Sequence, residues 1–404
     1  MSVTQTELRT RFAASLSELY GSEVPAYNTL VEVSQEVNAE VLAKRPDAER
    51  LGTIERVTAE RHGAIRVGTP QELAEVGRVF GACGMYPVGF YDLREAAPPI
   101  PVVSTAFRPV DRAELAVNPF RVFTSMLVVD DRRFFDESTE NDLREFLEAR
   151  RIFPDELLGL ADRMERDGSL EEAHADRFIE LATAAFALSP EPVDRAWYER
   201  LEAISSVAAD IGGVSSTHIN HLTPRVLDID ALYERMTARG VEMIDRIQGP
   251  PRTSDDEPDV LLRQTSFRAL AEPRAFRESD GSVVRDSLSV RFGEVEQRGV
   301  ALTPAGRELY DLRGLDALPR TDEALHAADL AYYARSAAGE LQPIVYEDFL
   351  PKSAAGIFAS NLTGDGRSDA SQRASRRDAS WLRDVLGREL YDPYALYEAE
   401  RAGD

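Results

Sequence analysis

Five histidines are the side chains of this sequence best suited to binding a metal or moving a proton. His174 and His326 lie in charged helical stretches, EEAHADRF and DEALHAAD, where a histidine ordinarily faces solvent. His62 and His221 each open a run with strand character, and His218 stands shortly before the second run. Histidine chemistry is therefore expected around these two runs and not in the charged helices.

The two runs resemble each other. HGAIRVGTPQEL from His62 and HLTPRVLDIDAL from His221 share His, Arg and Val at the same offsets, and both lead into a helical pattern. This agreement indicates an internal duplication. Equivalent strands that pack side by side bring equivalent positions together around a pseudo-twofold axis, so we expect the two imidazoles to converge. Without the repeat, each histidine would more often be structural.

A carboxylate for the same site is offered by the segment SLSVRFGEVEQRG, where strand alternation puts Glu294 and Glu296 on one face. Alternatively, both glutamates face water on a half-exposed strand. Two imidazoles with one carboxylate match the ligand set of non-haem Fe(II) oxygenases, which leaves positions for a chelating substrate and dioxygen. Cys83 is the only cysteine, so neither an internal disulfide nor a thiolate zinc site can form.

Arg66 follows His62 by four residues, and alternation puts both side chains on one face of the strand. A guanidinium there can bind a substrate carboxylate through two hydrogen bonds. The alternative is an ordinary surface arginine in an arginine-rich chain. Arg225, its counterpart in the repeat, is expected to be structural.

The elements that must position these residues have an α+β pattern. Two helices are predicted between Thr6 and Lys44. The first repeat then reads as βαβββ, with its elements at 62–67, 70–83, 86–91, 102–107 and 120–129. The second repeat has the same order, with its elements at 221–226, 229–239, 241–247, 260–267 and 287–297.

The remaining chain is mostly helical in pattern, including an insertion from Arg133 to about Ala209 and a final helix around 381–390. Residues 367–379 are rich in Ser, Asp and Arg and are expected to form a solvated connector without chemistry. The predicted divisions are N-terminal helices at 1–50, a first module at 51–130, a helical insertion at 131–210, a second module at 211–300, and a C-terminal helical region and tail at 301–404.

Composition excludes several classes of function for these 404 residues. The net charge of −24 would repel a phosphate backbone, so nucleic-acid binding is not expected. No apolar stretch is long enough to cross a bilayer. The first twenty residues lack the apolar core of a secretory signal, which favours the cytoplasm.

Four blocks of sequence resemble the 2-oxoadipate dioxygenase/decarboxylase family, also known as 2-hydroxyglutarate synthases, within the vicinal oxygen chelate superfamily. The blocks are RHGAIRVG around His62, HINHLTPRVLDID from His218, RFGEVEQRG from Arg291 and VYEDFLPKSAAGIF from Val345. The resemblance implies paired modules that curl into a cupped sheet around a metal.

By these motifs, the family's Fe(II) ligands fall on His62, His221 and Glu294. His221 is preferred to His218 because it holds the place of His62 in the repeat. FGEVEQR also resembles the FIEIIQR pattern of 4-hydroxyphenylpyruvate dioxygenases, whose iron ligand is the glutamate four places before the arginine, and this selects Glu294. The family's substrate contacts fall on Arg66, on His62 and on Val345, and no catalytic side chain beyond the metal ligands is implied.

The reaction implied by the resemblance joins 2-oxoadipate with dioxygen and yields 2-hydroxyglutarate and carbon dioxide, a step of lysine breakdown. Two other readings stay open at this point. One is a glyoxalase-like lyase or isomerase that uses a non-redox metal on the same scaffold. The other is a metal-free protein that binds a small ligand without turnover.

Overall fold

The computed structural model describes residues 2–45, 51–96, 98–254, 257–289, 291–336, 339–350, 357, 360–361, 368–369 and 371–403. The chain begins with a short strand and three helices: β1 (Ser2–Thr4), α1 (Gln5–Glu23), α2 (Ala26–Lys44) and α3 (Ile54–Ala59). Thr4 and Glu7 form a capping box at the start of α1. The two predicted N-terminal helices are confirmed.

The first module has the predicted order, with one added helix. Its elements are β2 (Arg61–Val67), α4 (Pro70–Ala82), β3 (Tyr86–Asp92), β4 (Val102–Arg108), α5 (Arg112–Val117) and β5 (Arg121–Leu127). A second capping box, formed by Thr69 and Glu72, begins α4 directly after β2.

The insertion is helical, as predicted, and contains two short strands. Its elements are α6 (Glu137–Ala149), α7 (Asp155–Asp167), β6 (Ser169–Glu171), α8 (Glu172–Ala185), β7 (Val193–Asp194), α9 (Arg195–Glu202) and α10 (Ser206–Gly212). The strand β6 pairs with β1, which lies outside the insertion and directly before α1.

The second module is less regular than the first. Its elements are β8 (His221–Pro224), α11 (Ile229–Ala238), β9 (Leu262–Ser266), β10 (Glu272–Arg277), β11 (Val283–Leu288) and β12 (Glu294–Arg298). The strand predicted at 241–247 is reduced to isolated bridges beside β9, from Met243 to Phe267 and from Gln248 to Gln264.

The prediction of one strand over 287–297 was wrong, because two strands with different partners occupy it. β11 pairs with β10, whereas β12 pairs with β9. Between them, Arg291 is fully buried and its Nε donates to Glu272 at 2.9 Å. Gly293 passes so close to Phe267 that an added Cβ would lie 2.0 Å from the ring. These contacts with sequence-distant residues turn the chain between the strands.

The topology shows the duplication more clearly than the elements do. The main sheet has the order β3-β4-β5-β2-β8, in which β2 runs parallel to β5 and antiparallel to β8. A parallel bridge between Arg225 and Glu296 carries the order on from β8 to β12, which pairs with β9. The two modules therefore meet through β2 and β8, the strands that carry the repeated histidines.

The described part of the C-terminal region contains α12 (Pro304–Arg313), α13 (Asp322–Ala327), β13 (Tyr333–Arg335), β14 (Leu341–Pro343), α14 (Ala379–Leu386) and α15 (Pro393–Ala402). The helix predicted at 381–390 is confirmed but ends earlier, because Gly387 terminates it with a left-handed φ of 59°, and the helix at Pro393–Ala402 lies beyond the predicted range. The predicted connector at 367–379 lies partly outside the described residues. Its described part packs on the first module, where Arg94 donates to the Ser375 carbonyl at 2.7 Å.

In the ranges that the structure describes, no helix combines the length and the apolar character needed to cross a membrane.

Candidate metal centre

His62 and His221 lie next to each other at the junction of the two modules. The antiparallel register of β2 and β8 pairs His62 with Thr223 and Ala64 with His221, so the histidines are diagonal neighbours on one face. Their ring centroids are 5.4 Å apart, with the rings nearly perpendicular. Both side chains are buried. The convergence predicted from the repeat is confirmed.

Glu294, the first residue of β12, brings a carboxylate to the same place. Its Oε2 lies 3.6 Å from Nε2 of His221, and its Oε1 accepts a hydrogen bond from Gln264. Burial and then the nearby charge of Glu296 raise the pKa of the Glu294 carboxyl well above its ordinary value. A cation beside this carboxylate would relieve both effects.

Three of the four ring nitrogens of His62 and His221 lack hydrogen-bond partners among the described residues. Nδ1 of His62 is hydrogen-bonded to Glu296 at 3.1 Å, but its Nε2 has no partner among the described residues. Neither ring nitrogen of His221 has a hydrogen-bond partner within that part of the chain. Buried polar atoms without partners are rare and costly. Burial lowers the pKa of both imidazoles, which favours the neutral form that binds metals.

These three side chains fit a metal ion, although they do not form a closed cage by themselves. Within the described ranges, no three His, Cys, Asp or Glu side chains already meet the geometry of a metal cage. Ligand atoms at about 2.1 Å from one ion and at right angles would be about 3 Å apart. The 3.6 Å between His221 and Glu294 is close to that spacing and too long for a good hydrogen bond. The buried nitrogens without partners further support the fit.

At the equivalent strand position of the described modules, the second module has a carboxylate and the first does not. Both strand pairs are parallel and can be compared residue by residue. Arg66, four residues after His62, lies opposite Ser125, and Arg225, four residues after His221, lies opposite Glu296. Two residues earlier, Phe123 therefore has the place that Glu294 has in the second module. The duplicated scaffold thus offers two imidazoles, one carboxylate and, at the fourth equivalent position, the apolar side chain of Phe123.

The alternative in which both glutamates face water is wrong, since both are buried. Glu296 lies behind His62 and accepts two hydrogen bonds from Arg298, at 2.7 and 3.0 Å. Burial alone would raise the pKa of Glu296, but Arg298 and then His62 hold it below its usual range. Glu296 therefore remains a carboxylate that orients His62. Sequence reasoning missed this role, although alternation had placed both glutamates on one face.

The two histidines of HINH have different surroundings. Nε2 of His218 lies 3.2 Å from Oδ1 of Asp210 and 3.2 Å from Nδ2 of Asn220, whereas His221 lies beside Glu294. Arg66 is buried on the same face of β2 as His62, and its Nη1 also donates to Asp210. No sequence pattern had singled out Asp210, which lies at the end of the helical insertion.

Val345 is placed apart from the histidines. It bridges Val300 and lines a cavity of about 290 Å³ whose other walls include Arg56 and Ile344 but not the candidate ligands. Its predicted contact with substrate stays a prediction. Among the described residues of this segment, Phe349 reaches the site, and its ring centroid is 4.2 Å from that of His62. Phe349 also packs on Phe123 at 4.8 Å.

Known proteins place this arrangement in a family. The sequence profile of the 2-oxoadipate dioxygenase/decarboxylase family matches residues 12–361. A 2-oxoadipate dioxygenase/decarboxylase of Mycobacterium bovis is 58% identical over 407 residues, which cover 97% of this chain and 96% of the relative.

Solved structures agree with the sequence relatives. The hydroxyglutarate synthase of Pseudomonas putida in complex with 2-oxoadipate superposes with a TM-score of 0.85 at 36% identity, over 99% of this chain and 97% of that one. A putative glyoxalase superfamily protein from Ralstonia eutropha has a TM-score of 0.55 at 20% identity, over 73% of this chain and 84% of that one, which shows likeness of fold alone. The α+β prediction and the family resemblance are both confirmed. The chain belongs to the 2-oxoadipate dioxygenase/decarboxylase family.

Proposed function

We propose that this protein is an Fe(II)-dependent dioxygenase that converts 2-oxoadipate and dioxygen to 2-hydroxyglutarate and carbon dioxide. Family membership and the likeness to a synthase that holds 2-oxoadipate support the substrate. The observation that carries the proposal is the pair of buried imidazoles, His62 and His221, with nitrogens that lack partners beside the Glu294 carboxylate.

His62, His221 and Glu294 would hold the iron. When bound, Fe(II) supplies open coordination positions for a 2-oxo acid and dioxygen, and the electrons with which dioxygen reacts. Glu296 keeps the Nδ1 side of His62 occupied, so that Nε2 is the nitrogen that would bind the metal. Arg298 in turn fixes Glu296 through two hydrogen bonds, which keeps this orientation rigid.

Arg66 is the residue that would bind a substrate carboxylate. It stands on the face of β2 that carries His62, and burial, then His62 and then the charge of Arg66 lower the pKa of His221. A guanidinium presents paired donors that match a carboxylate, which fixes orientation as well as affinity. Binding of a substrate carboxylate by Arg66, together with chelation at the metal, would hold 2-oxoadipate in one pose.

Aromatic side chains exclude water from the region around the two histidines. Phe349 packs on the ring of His62, and Phe292 lies 5.4 Å from the ring centroid of His221. Both phenylalanines are buried. A dry site strengthens the electrostatic interactions of bound substrate and limits side reactions with water.

The proposed reaction balances without a further cosubstrate. The bond between C1 and C2 of 2-oxoadipate breaks and C1 leaves as carbon dioxide. C2 becomes a carboxyl carbon with one oxygen atom from dioxygen, and the adjacent carbon gains a hydroxyl group with the other. The reaction would serve lysine breakdown, and we propose the cytoplasm as its location.

The test is oxygen consumption by anaerobically purified protein that has been reconstituted with Fe(II) and given 2-oxoadipate. We expect uptake that matches 2-hydroxyglutarate formation and that is lost in His221→Ala and Glu294→Ala. His174→Ala, a change at a half-exposed histidine of α8 that lies beside Glu171 and Arg163, serves as a control and should retain uptake. Turnover of a 2-oxo acid without oxygen consumption would favour the lyase or isomerase, and metal-free protein without turnover would favour simple ligand binding.

A further inference from the structure

A second buried polar cluster adjoins the candidate metal centre and centres on the carboxylate of Asp210 in α10. Arg66 donates to its Oδ2 from Nη1, and Asn220 donates to the same oxygen from Nδ2 at 2.8 Å. Nε2 of His218 lies 3.2 Å from the other oxygen. All four side chains are buried. One carboxylate therefore joins β2, α10 and the segment that leads into β8.

Asp210 remains charged in this environment. Burial alone would raise the pKa of its carboxyl, but His218 and Arg66 lower it well below the usual range. A buried carboxylate with several charged or polar donors forms a strong and directional contact. Such a contact limits the rotamers of the long arginine side chain, which otherwise has large conformational freedom.

The position of Arg66 gives this restraint a function. Arg66, His62 and His221 share one face of the β2–β8 pair, so the direction of the guanidinium decides where a substrate carboxylate can lie relative to the metal ligands. A displacement of about 1 Å at a positioning group can cost about 100-fold in rate. The residue that fixes Arg66 therefore influences substrate orientation without contact with substrate.

We propose that Asp210 is a positioning residue that acts through Arg66, and that His218 and Asn220 support this role by holding Asp210 in place. This inference rests on the proposed function, because it assumes that Arg66 binds a carboxylate of 2-oxoadipate. It assigns His218 of the HINH motif to substrate positioning and not to the metal. It also gives the end of the helical insertion a role at the site.

The test is a double-mutant cycle with Asp210→Asn and Arg66→Leu. The affinity for 2-oxoadipate is measured by anaerobic calorimetric titration of the Fe(II)-loaded protein, and KM and kcat are measured separately. We expect Asp210→Asn to weaken 2-oxoadipate binding about tenfold and to raise KM more than it lowers kcat. In the Arg66→Leu background the same change should have little further effect. Iron content should match that of the wild type in every variant.

A matched control and a milder variant separate positioning from folding. Asp131 is another buried aspartate paired with arginines, and its partner Arg94 is bonded to Asp92 and to the Ser375 carbonyl. Asp131→Asn should therefore lower stability but leave 2-oxoadipate affinity unchanged. Asn220→Ala keeps the Asp210 charge and removes one donor, so we expect a smaller loss of affinity that also disappears without Arg66.

The inference would be overturned if Asp210→Asn left the affinity for 2-oxoadipate unchanged, or lowered it equally in the wild-type and Arg66→Leu backgrounds. Binding of 2-oxoadipate by the wild type would in that case still support the proposed function. Absence of 2-oxoadipate binding by the wild type would instead overturn the proposed function, and the inference with it.

Discussion

The sharpest prediction from the structure concerns Glu296, which orients His62 without being one of the candidate ligands. Glu296→Gln preserves the shape of the side chain but replaces the carboxylate bonded to Nδ1 of His62 with a neutral amide. Loss of such a partner of a ligating histidine typically costs 10–100-fold in metal affinity, or about 1.4–2.8 kcal/mol. We therefore expect Fe(II) binding to weaken by that factor.

The same change also leaves Arg298 short of a counter-charge, because Arg298 is fully buried and bonded to Glu296. Removal of one partner from a buried ion pair costs about 3–5 kcal/mol in stability. Reduced metal binding by Glu296→Gln could thus arise from a weakened fold alone. A control must remove a comparable charge from the same arginine without touching His62.

Glu60→Gln provides that control. Glu60 is fully buried and lies 3.4 Å from Nε of Arg298, but its hydrogen-bond partners are Arg121 and Arg225 and not a histidine. Both variants should lose stability in urea denaturation. In anaerobic competition with a chromophoric chelator, only Glu296→Gln should lose Fe(II) affinity. Equal affinities in the two variants, whether unchanged or equally reduced, would refute the reasoning.

Three further predictions follow from the same geometry. His218→Ala should keep bound iron, whereas His221→Ala should lose it, as measured by metal analysis after gel filtration. Retention of iron by the His221 variant would show that His221 is not a metal ligand. Burial raises the pKa of the Cys83 thiol to about 12, so native protein should not react with a thiol reagent until urea unfolds it; rapid labelling of the native state would contradict this. Although burial alone would raise the pKa of Glu60, two buried arginines hold it below the ordinary value, so its stabilisation is complete above about pH 4.3 and is lost as pH falls further. Unfolding at a series of acid pH values should therefore show a shallower pH dependence in Glu60→Gln, and an unchanged slope would disagree.

Much of the site could be predicted from sequence because the duplication repeats its spacing. The shared offsets around His62 and His221 predicted two strands that meet, and the sheet order places those strands side by side. Alternation placed Glu294 and Glu296 on one face but could not assign their roles. That distinction depends on His62, which bonds to a residue 234 positions away in the chain.

Other features depend on contacts that no local pattern reports. Asp210 reaches Arg66 from the end of an insertion that is helical for its own local reasons. The strand predicted over 287–297 is interrupted because Arg291 pairs with Glu272 and with Glu23 of the first helix. Phe349 reaches His62 from the C-terminal segment, where the sequence had indicated Val345. In each case the partner lies far away in the chain, so the local pattern of hydrophobic residues cannot predict the contact.

The most direct test of the central claim is a reaction under ¹⁸O₂ with Fe(II)-loaded protein and 2-oxoadipate, followed by mass spectrometry of the product. The proposed chemistry predicts 2-hydroxyglutarate that carries both labelled oxygen atoms, one in the new carboxyl group and one in the hydroxyl group, with one carbon dioxide released per molecule. Product without label, or substrate consumed at the same rate without oxygen, would contradict the dioxygenase assignment.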